Sequence, residues 1–176
     1  MINALRNRDH RVILDSTHGI FFFGTPHGGL EAGGLQEILE GRSDGEKANL
    51  LRLLKEGSYF LNNQKEDLLC VWKVFKPKVV SFYETHDTST AEEVCSPALD
   101  FEPMTADPSK HESGKIERSG PKVHMVHKSS AQLFLPTGCE TRLPIDANHT
   151  DMVKFDAKTD TTYQTVVTHL EDWIGM

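Results

Sequence analysis

The apolar residues of this chain form continuous runs in some segments and helically spaced runs in others. The segment GIFFFG, which begins at Gly19, is apolar at consecutive positions and does not alternate. That pattern predicts a strand with both faces covered, as in a parallel sheet between helices. KVVSFYET, residues 78–85, has the same density and predicts a second strand. VHMV, residues 123–126, predicts a third short strand, followed by a long loop.

Between and after these strands the apolar positions recur at helical spacing. Residues 30–75 predict three helices with short joints, broken near residues 41–45 and at Gly57. A final helix has Asp160 or Thr161 as its N-cap. Its apolar face comprises Tyr163, Val166, Val167, Leu170 and Trp173. Strands that alternate with helices predict an α/β architecture, here a mostly parallel sheet with flanking helices.

One segment, at about residues 87–121, interrupts this pattern. It is rich in Pro, Ser, Asp, Glu and Lys and poor in aromatic residues, a composition that predicts a mobile, acidic insertion. The whole chain has 176 residues, which is enough for one packed domain and short for two. We therefore expect a single domain over residues 1–176.

Charge and cysteine content exclude several classes of protein. The formal net charge is −7 at pH 7, with acidic residues spread along the chain, whereas a nucleic-acid partner requires a basic stripe or patch. The three cysteines, Cys70, Cys95 and Cys139, lie far apart, so they form no disulfide framework or zinc ribbon and fit a reducing compartment. No apolar run approaches the roughly 18 residues that span a bilayer. Any membrane contact is expected to be peripheral.

Polar groups follow the predicted strands. Thr25 and His27 follow the first strand, Glu84 ends the second, and His149 lies in the loop after the third. Ligands of doubly wound sheets bind at these carboxyl ends. A Glu followed by a His is also the order in which α/β serine hydrolases complete their triad, because the His accepts the nucleophile's proton and the carboxylate fixes its tautomer. The alternative for Glu84 is a strand-end carboxylate facing water, and His149 is one of nine histidines.

Several motifs, taken in order, resemble one family. STHGIFFFGTPHGG, VVSFYET, VHKSSAQL and DANHTDMVKFD, ending in DTTYQTVVTHLEDWI, resemble the lipase-like α/β hydrolases of the serine-active-site-containing type, a group common in fungi. The resemblance covers nearly the whole chain except the insertion. It implies a partial α/β-hydrolase fold, carboxylic-ester hydrolysis and an ester or lipid substrate. It also implies a cytoplasmic protein, with the periphery of the mitochondrial or endoplasmic reticulum membrane as the alternative.

Carried over by position, the resemblance assigns roles to five residues. It implies Glu84 as the acid of the triad and His149 as its base. Thr25, Pro26 and His27 would shape the rim of the site, with His27 structural or rim-forming instead of catalytic. The sequence departs from the family's usual pattern at residue 148, where Asn stands in place of the commoner Asp.

The family's nucleophile lies on a Gly-His-Ser-x-Gly turn upstream of all these motifs. We expect Met1 to fall inside the helix after that turn, so the resemblance implies a truncated domain that keeps the acid and base and is inactive alone. GRSDG, residues 41–45, is a literal G-x-S-x-G around Ser43. The preceding LQEILE is helix-like where a buried strand is required, and Glu46 completes a capping box with Ser43. We therefore interpret Ser43 as a helix N-cap.

No cofactor or metal site is predicted. GTPHGGLEAGG is glycine-rich but lacks the Lys before Ser or Thr of a phosphate-binding loop. His124 and His127 would point to opposite faces of a strand, which disfavours a shared metal ion.

A second hypothesis follows from the absence of the nucleophile strand. The strand at Phe21–Phe23 would become a sheet edge, and an apolar edge with unpaired N–H and C=O groups is a template for another chain. This predicts self-association or pairing with a partner chain. The alternative function is therefore a non-catalytic interaction module that completes its sheet with a partner.

Overall fold

The structure is a computed structural model, and it describes residues 7–32, 35–41, 45–94 and 115–175. After a short 3-10 turn at Arg8–His10, the elements in chain order are α1 (Arg11–Asp15), β1 (Gly19–Phe23), α2 (Leu35–Gly41), α3 (Gly45–Leu54), α4 (Tyr59–Phe75), β2 (Lys78–Glu84), β3 (Thr88–Ser89), β4 (Glu92–Val94), β5 (Lys115–Glu117), β6 (Lys122–Val123), β7 (Glu140–Ile145) and α5 (Thr161–Ile174). The α/β content predicted from the sequence is confirmed, as are the three helices within residues 30–75.

A three-stranded parallel sheet of order β1-β2-β7 lies at the centre of the described chain. Its register pairs Phe23 of β1 with Phe82 of β2, and Glu84 of β2 with Ile145 of β7. The strands predicted at GIFFFG and KVVSFYET are therefore present and adjacent. The carboxyl ends of all three strands meet at one edge of the sheet, where the loops after β1, β2 and β7 begin.

The third strand of this sheet is not the one that the sequence predicted. Of residues 123–126, only Val123 is in a strand, and β6 pairs antiparallel with β3 outside the main sheet. The third parallel strand is β7, with the sequence ETRLPI, in the stretch predicted as a long loop. That prediction was wrong because β7 is an edge strand in which three of the six residues are exposed. Such a strand needs no continuous apolar run and tolerates a proline, here Pro144.

The predicted acidic insertion begins and ends in short paired strands. β3 pairs with β6, and β4 pairs with β5, both antiparallel. Its middle, residues 95–114, lies outside the described residues, as does Cys95. The ends of the insertion are thus hydrogen-bonded to each other, an arrangement that composition alone did not predict.

Helices cover both faces of the sheet. Successive residues of a strand point to opposite faces, so each strand contributes side chains to both helix–sheet contacts. On one face Phe82 and Val80 pack with Phe21, Phe23 and, from α5, Trp173. On the other face Val79 packs with residues of α4 and of the loop before β7, namely Leu68, Leu69, Trp72, Leu133 and Leu135. Asp160 is the N-cap of α5, and its carboxylate accepts hydrogen bonds from the backbone N–H groups of Thr162 and Tyr163. One of the two predicted N-caps is therefore confirmed.

β1 differs from the prediction in its degree of burial. A fully buried strand was expected, but all five residues of β1 are half-buried, whereas Val79, Val80, Ser81 and Phe82 of β2 are buried. Within the described residues β1 pairs with β2 alone, so its other edge has no strand beside it. The predicted edge position of this strand agrees with the sheet order.

Candidate active site

Glu84 and His149 come together at the carboxyl end of the sheet. Glu84 is the last residue of β2, and its side chain is 1% exposed, while His149 lies in the loop after β7 with its side chain 29% exposed. Glu84 Oε2 lies 3.6 Å from His149 Nδ1. The two residues are 65 positions apart in sequence, so the parallel pairing of β2 with β7 is what places them side by side.

The Glu84 carboxylate is oriented by the backbone. Its Oε1 accepts a 2.7 Å hydrogen bond from the Val126 N–H, which directs Oε2 toward the histidine. Glu84 Oε2 and His149 Nδ1 are both buried and have no hydrogen-bond partner. Because an unsatisfied buried polar atom is costly, each atom is the natural partner of the other once the 3.6 Å gap closes slightly.

His149 is held by its own loop. Its backbone N–H donates to Thr88 Oγ1 at 2.9 Å. The preceding Asn148 accepts the N–H groups of Thr150 and Asp151 on its side-chain oxygen, and its amide nitrogen donates to Asp151 Oδ2 at 2.8 Å. An aspartate at position 148 could accept the same bonds but could not donate to Asp151. The asparagine found here is therefore compatible with the loop that presents His149.

Gly24, directly after β1, allows the imidazole to lie close to the sheet. It has φ +51°, in the left-handed region, and a Cβ at this position would lie 2.9 Å from His149 Nδ1 and 2.8 Å from Met152 Sδ. Either feature disfavours a side chain. The glycine thus lets the histidine ring pack against the backbone at the end of β1.

Thr25, Pro26 and His27 line a separate apolar cavity. This cavity has a volume of about 370 Å³ and lies between β1 and α4. Its other walls are Ile20, Phe22, Leu54, Leu61, Gln64, Lys65 and Leu68. Neither Glu84 nor His149 lines this cavity, and the role of Thr25, Pro26 and His27 at the rim of a catalytic site stays a prediction.

His27 is buried, and its imidazole is neutral at pH 7. Burial, reinforced by the nearby Lys65 ammonium and opposed by Glu140, lowers the pKa of His27 from 6.5 to about 4. Its backbone N–H donates to Ser130 O at 2.9 Å, and its ring meets the Phe22 ring edge-on at 4.7 Å. Its Nε2 has no hydrogen-bond partner.

Glu140, at the start of β7, is a buried charge that the sequence did not single out. Its oxygens accept hydrogen bonds from the Ser81 hydroxyl, from the backbone N–H groups of Leu133 and Leu135, and from Arg142. Burial raises the pKa of Glu140, but these four hydrogen bonds outweigh burial and hold the pKa below 4.5. Glu140 therefore fixes the loop before β7 to the sheet. Spacing gave no signal for this role, because the donors lie in three different segments.

Two further histidines near this edge of the sheet form surface pairs. His86 Nε2 lies 2.9 Å from Asp146 Oδ1, and His124 Nδ1 lies 3.1 Å from Asp87 Oδ1. All four side chains are at least 43% exposed, so these pairs contribute little to stability. Among the described residues no group of three or more His, Cys, Asp or Glu side chains could hold a metal ion.

Ser43 lies outside the described residues, so its predicted capping role is neither supported nor opposed. No protein-family model, curated protein or solved structure matches this chain. Within the described ranges, none of the helices has the length and apolarity needed to cross a membrane.

Proposed function

We propose that this chain contributes the acid and the general base of a serine-esterase site in a partial α/β-hydrolase fold. Glu84 is the acid, His149 is the base, and the substrate class is a carboxylic ester or a lipid. The observation that carries the proposal is the Glu84–His149 pair at the carboxyl end of adjacent parallel strands, whose facing atoms, Oε2 and Nδ1, are buried and have no hydrogen-bond partner.

The geometry suits proton transfer by His149. When Nδ1 carries the proton and its N–H donates a hydrogen bond to Glu84 Oε2, the lone pair of Nε2 is free to accept a proton from a nucleophilic hydroxyl. The carboxylate then stabilises the imidazolium that forms, and Nε2 returns the proton to the leaving alcohol. The N–H of Val126 and the Thr88 hydroxyl keep acid and base in register during both steps.

The nucleophile is the part of the site that the described residues do not supply. The chain's one G-x-S-x-G motif is GRSDG, and residues 42–44 of it are outside the described ranges. We propose that the serine comes from elsewhere than Ser43 and that these 176 residues alone hydrolyse no ester. The family resemblance also favours a cytoplasmic location, with peripheral contact to an organelle membrane as the alternative.

Labelling with a fluorophosphonate probe tests this proposal, because the probe reacts only with an activated serine. The protein is labelled in its source cells, in the wild-type form and in His149→Gln and His124→Gln forms, and the labelled peptide is identified by mass spectrometry. We expect labelling at a serine outside residues 1–176, lost in His149→Gln and retained in His124→Gln, since His124 belongs to an exposed surface pair.

The same probe is also applied to the isolated 176-residue chain. Labelling of this chain that disappears in Ser43→Ala would keep the esterase proposal but overturn the assignment of Ser43 as a helix cap. If the protein from its source cells takes up no label, or if His149→Gln labels like the wild type, the esterase proposal is wrong.

One observation favours a second candidate, the interaction module. β1 is apolar and half-buried, and in the described part of the chain only β2 pairs with it. A further strand added to this edge would satisfy its free N–H and C=O groups. Light scattering across a dilution series tests for self-association, and hydrogen exchange at β1 reports whether its outer amides are protected. A compact monomer with rapid exchange at β1 would count against this candidate.

A further inference from the structure

The cavity between β1 and α4 has the character of a small-molecule site. Its volume of about 370 Å³ falls within the roughly 300–1,000 Å³ of pockets that hold small ligands. Most of its walls are hydrocarbon, and they come from β1, the loop after it, the end of α3 and α4: Ile20, Phe22, Pro26, Leu54, Leu61 and Leu68. An apolar lining of this kind selects the aliphatic part of a ligand.

The polar groups of the cavity are few and have one sign of charge. Lys65 and Gln64 line it from α4, and Lys65 is the only charged residue among the described lining residues. Lys65 Nζ also lies 5.4 Å from the centre of the Phe134 ring, which is outside the cavity lining. A single cation beside an apolar wall is complementary to one anionic group on an aliphatic chain.

His27 is a further polar residue in the lining of the same cavity. It is close enough to Lys65 for the ammonium to depress the imidazole pKa, and its Nε2 lacks a hydrogen-bond partner although the residue is only 9% exposed. A neutral imidazole can donate one N–H bond. After a small rotation of the ring, that donor could serve the second oxygen of a carboxylate paired with Lys65.

We propose that this cavity binds a medium-chain aliphatic carboxylate, with its chain against Phe22, Leu61 and Leu68 and its carboxylate at Lys65 and His27. The proposal goes beyond the esterase function and does not require Glu84 or His149 to be catalytic. It assigns to His27 and Lys65 a binding role that the catalytic pair does not use.

Calorimetric titration with octanoate tests the proposal, with octanol and acetate as comparison ligands. We expect octanoate to bind at one site, octanol to bind more weakly because it lacks the charge, and acetate not to bind because it lacks the chain. Lys65→Ala should weaken octanoate binding by about tenfold while leaving octanol nearly unchanged. Lys73→Ala is the matched control, since Lys73 is an exposed lysine of the same helix outside the cavity lining.

A second variant fills the cavity without removing charge. Leu68→Trp should abolish binding of both octanoate and octanol, and a cooperative urea transition confirms that the variant is folded. Absence of octanoate binding to the wild-type chain overturns the proposal, as does binding that Lys65→Ala and Leu68→Trp leave unchanged, which indicates nonspecific adsorption. Since the readout is binding, a failure here and a failure of serine labelling are separate results.

Discussion

Acidification should lower the free energy of unfolding through the buried His27, at pH values above those at which carboxylates take up protons. The ordinary pKa of a histidine is 6.5, and burial, reinforced by Lys65, lowers that of His27 to about 4 in the folded chain. Between these two values the unfolded chain takes up a proton that the folded chain does not. The free energy of unfolding therefore falls as the pH drops from 6.5 to 4.

The magnitude follows from the two pKa values. One pKa unit corresponds to about 1.4 kcal/mol, so the complete effect is about 3 kcal/mol, of which about 2 kcal/mol is lost between pH 7 and pH 5. Glu140 acts in a different range, because its pKa is lowered from 4.5. The stability that Glu140 contributes is fully present above pH 4.5 and is lost only as the pH falls further.

Urea denaturation at pH 7, 6 and 5 measures this effect. The wild type should lose about 2 kcal/mol over that range, whereas His27→Phe, which keeps an aromatic ring beside Phe22, should lose markedly less whatever its stability at pH 7. His86→Gln, which replaces an exposed histidine, serves as the control and should follow the wild type. A His27→Phe variant with the wild-type pH slope, or an NMR titration that places the His27 pKa near 6.5, would refute the reasoning.

Three further substitutions test individual contacts by urea denaturation at pH 7. Glu140→Gln should lower the free energy of unfolding by about 2–4 kcal/mol, because the amide replaces a buried carboxylate that accepts four hydrogen bonds, one of them from Arg142. A loss below about 1 kcal/mol would contradict the role of Glu140 in fixing the loop before β7. Gly24→Ala should lower the free energy of unfolding by more than about 1 kcal/mol, because Gly24 has φ +51° and the new Cβ would contact the His149 ring. It should also shift the NMR signals of that ring, and unchanged ring signals would argue against the contact. Asp160→Ala should cost about 1 kcal/mol through loss of the α5 N-cap, whereas Asp160→Asn should cost far less.

The local elements were the most predictable part of this fold. Continuous apolar runs identified β1 and β2, and helical spacing identified the three helices of residues 30–75, because in each case the pattern lies within one segment. β7 was missed for the converse reason. It lies at a sheet edge with three of its six residues exposed, so its strand conformation comes from pairing with β2 and leaves little trace in its own residues.

The candidate site, too, was predictable only in part from the sequence. Residue type and chain order were sufficient to name Glu84 and His149 as a possible acid and base. Sequence did not reveal that Val126 orients the carboxylate or that Gly24 makes room for the imidazole, since these contacts join segments far apart in the chain. Likewise, His27 was selected by its motif, but its neutral, buried state depends on the strand and helix packed around it.

The sequence by itself determined the α/β class and two of the three parallel strands, because each depends on local spacing. It left Asp160 and Thr161 as alternatives for the N-cap of the last helix, and its assignment of Glu84 and His149 as acid and base stays a prediction. Only the tertiary structure decided which strand lies beside Glu84, which carboxylate is fixed by four donors, and where an apolar cavity forms. Those features depend on backbone pairing and packing between segments that are distant in sequence. The burial of a group is therefore set by residues far from it along the chain.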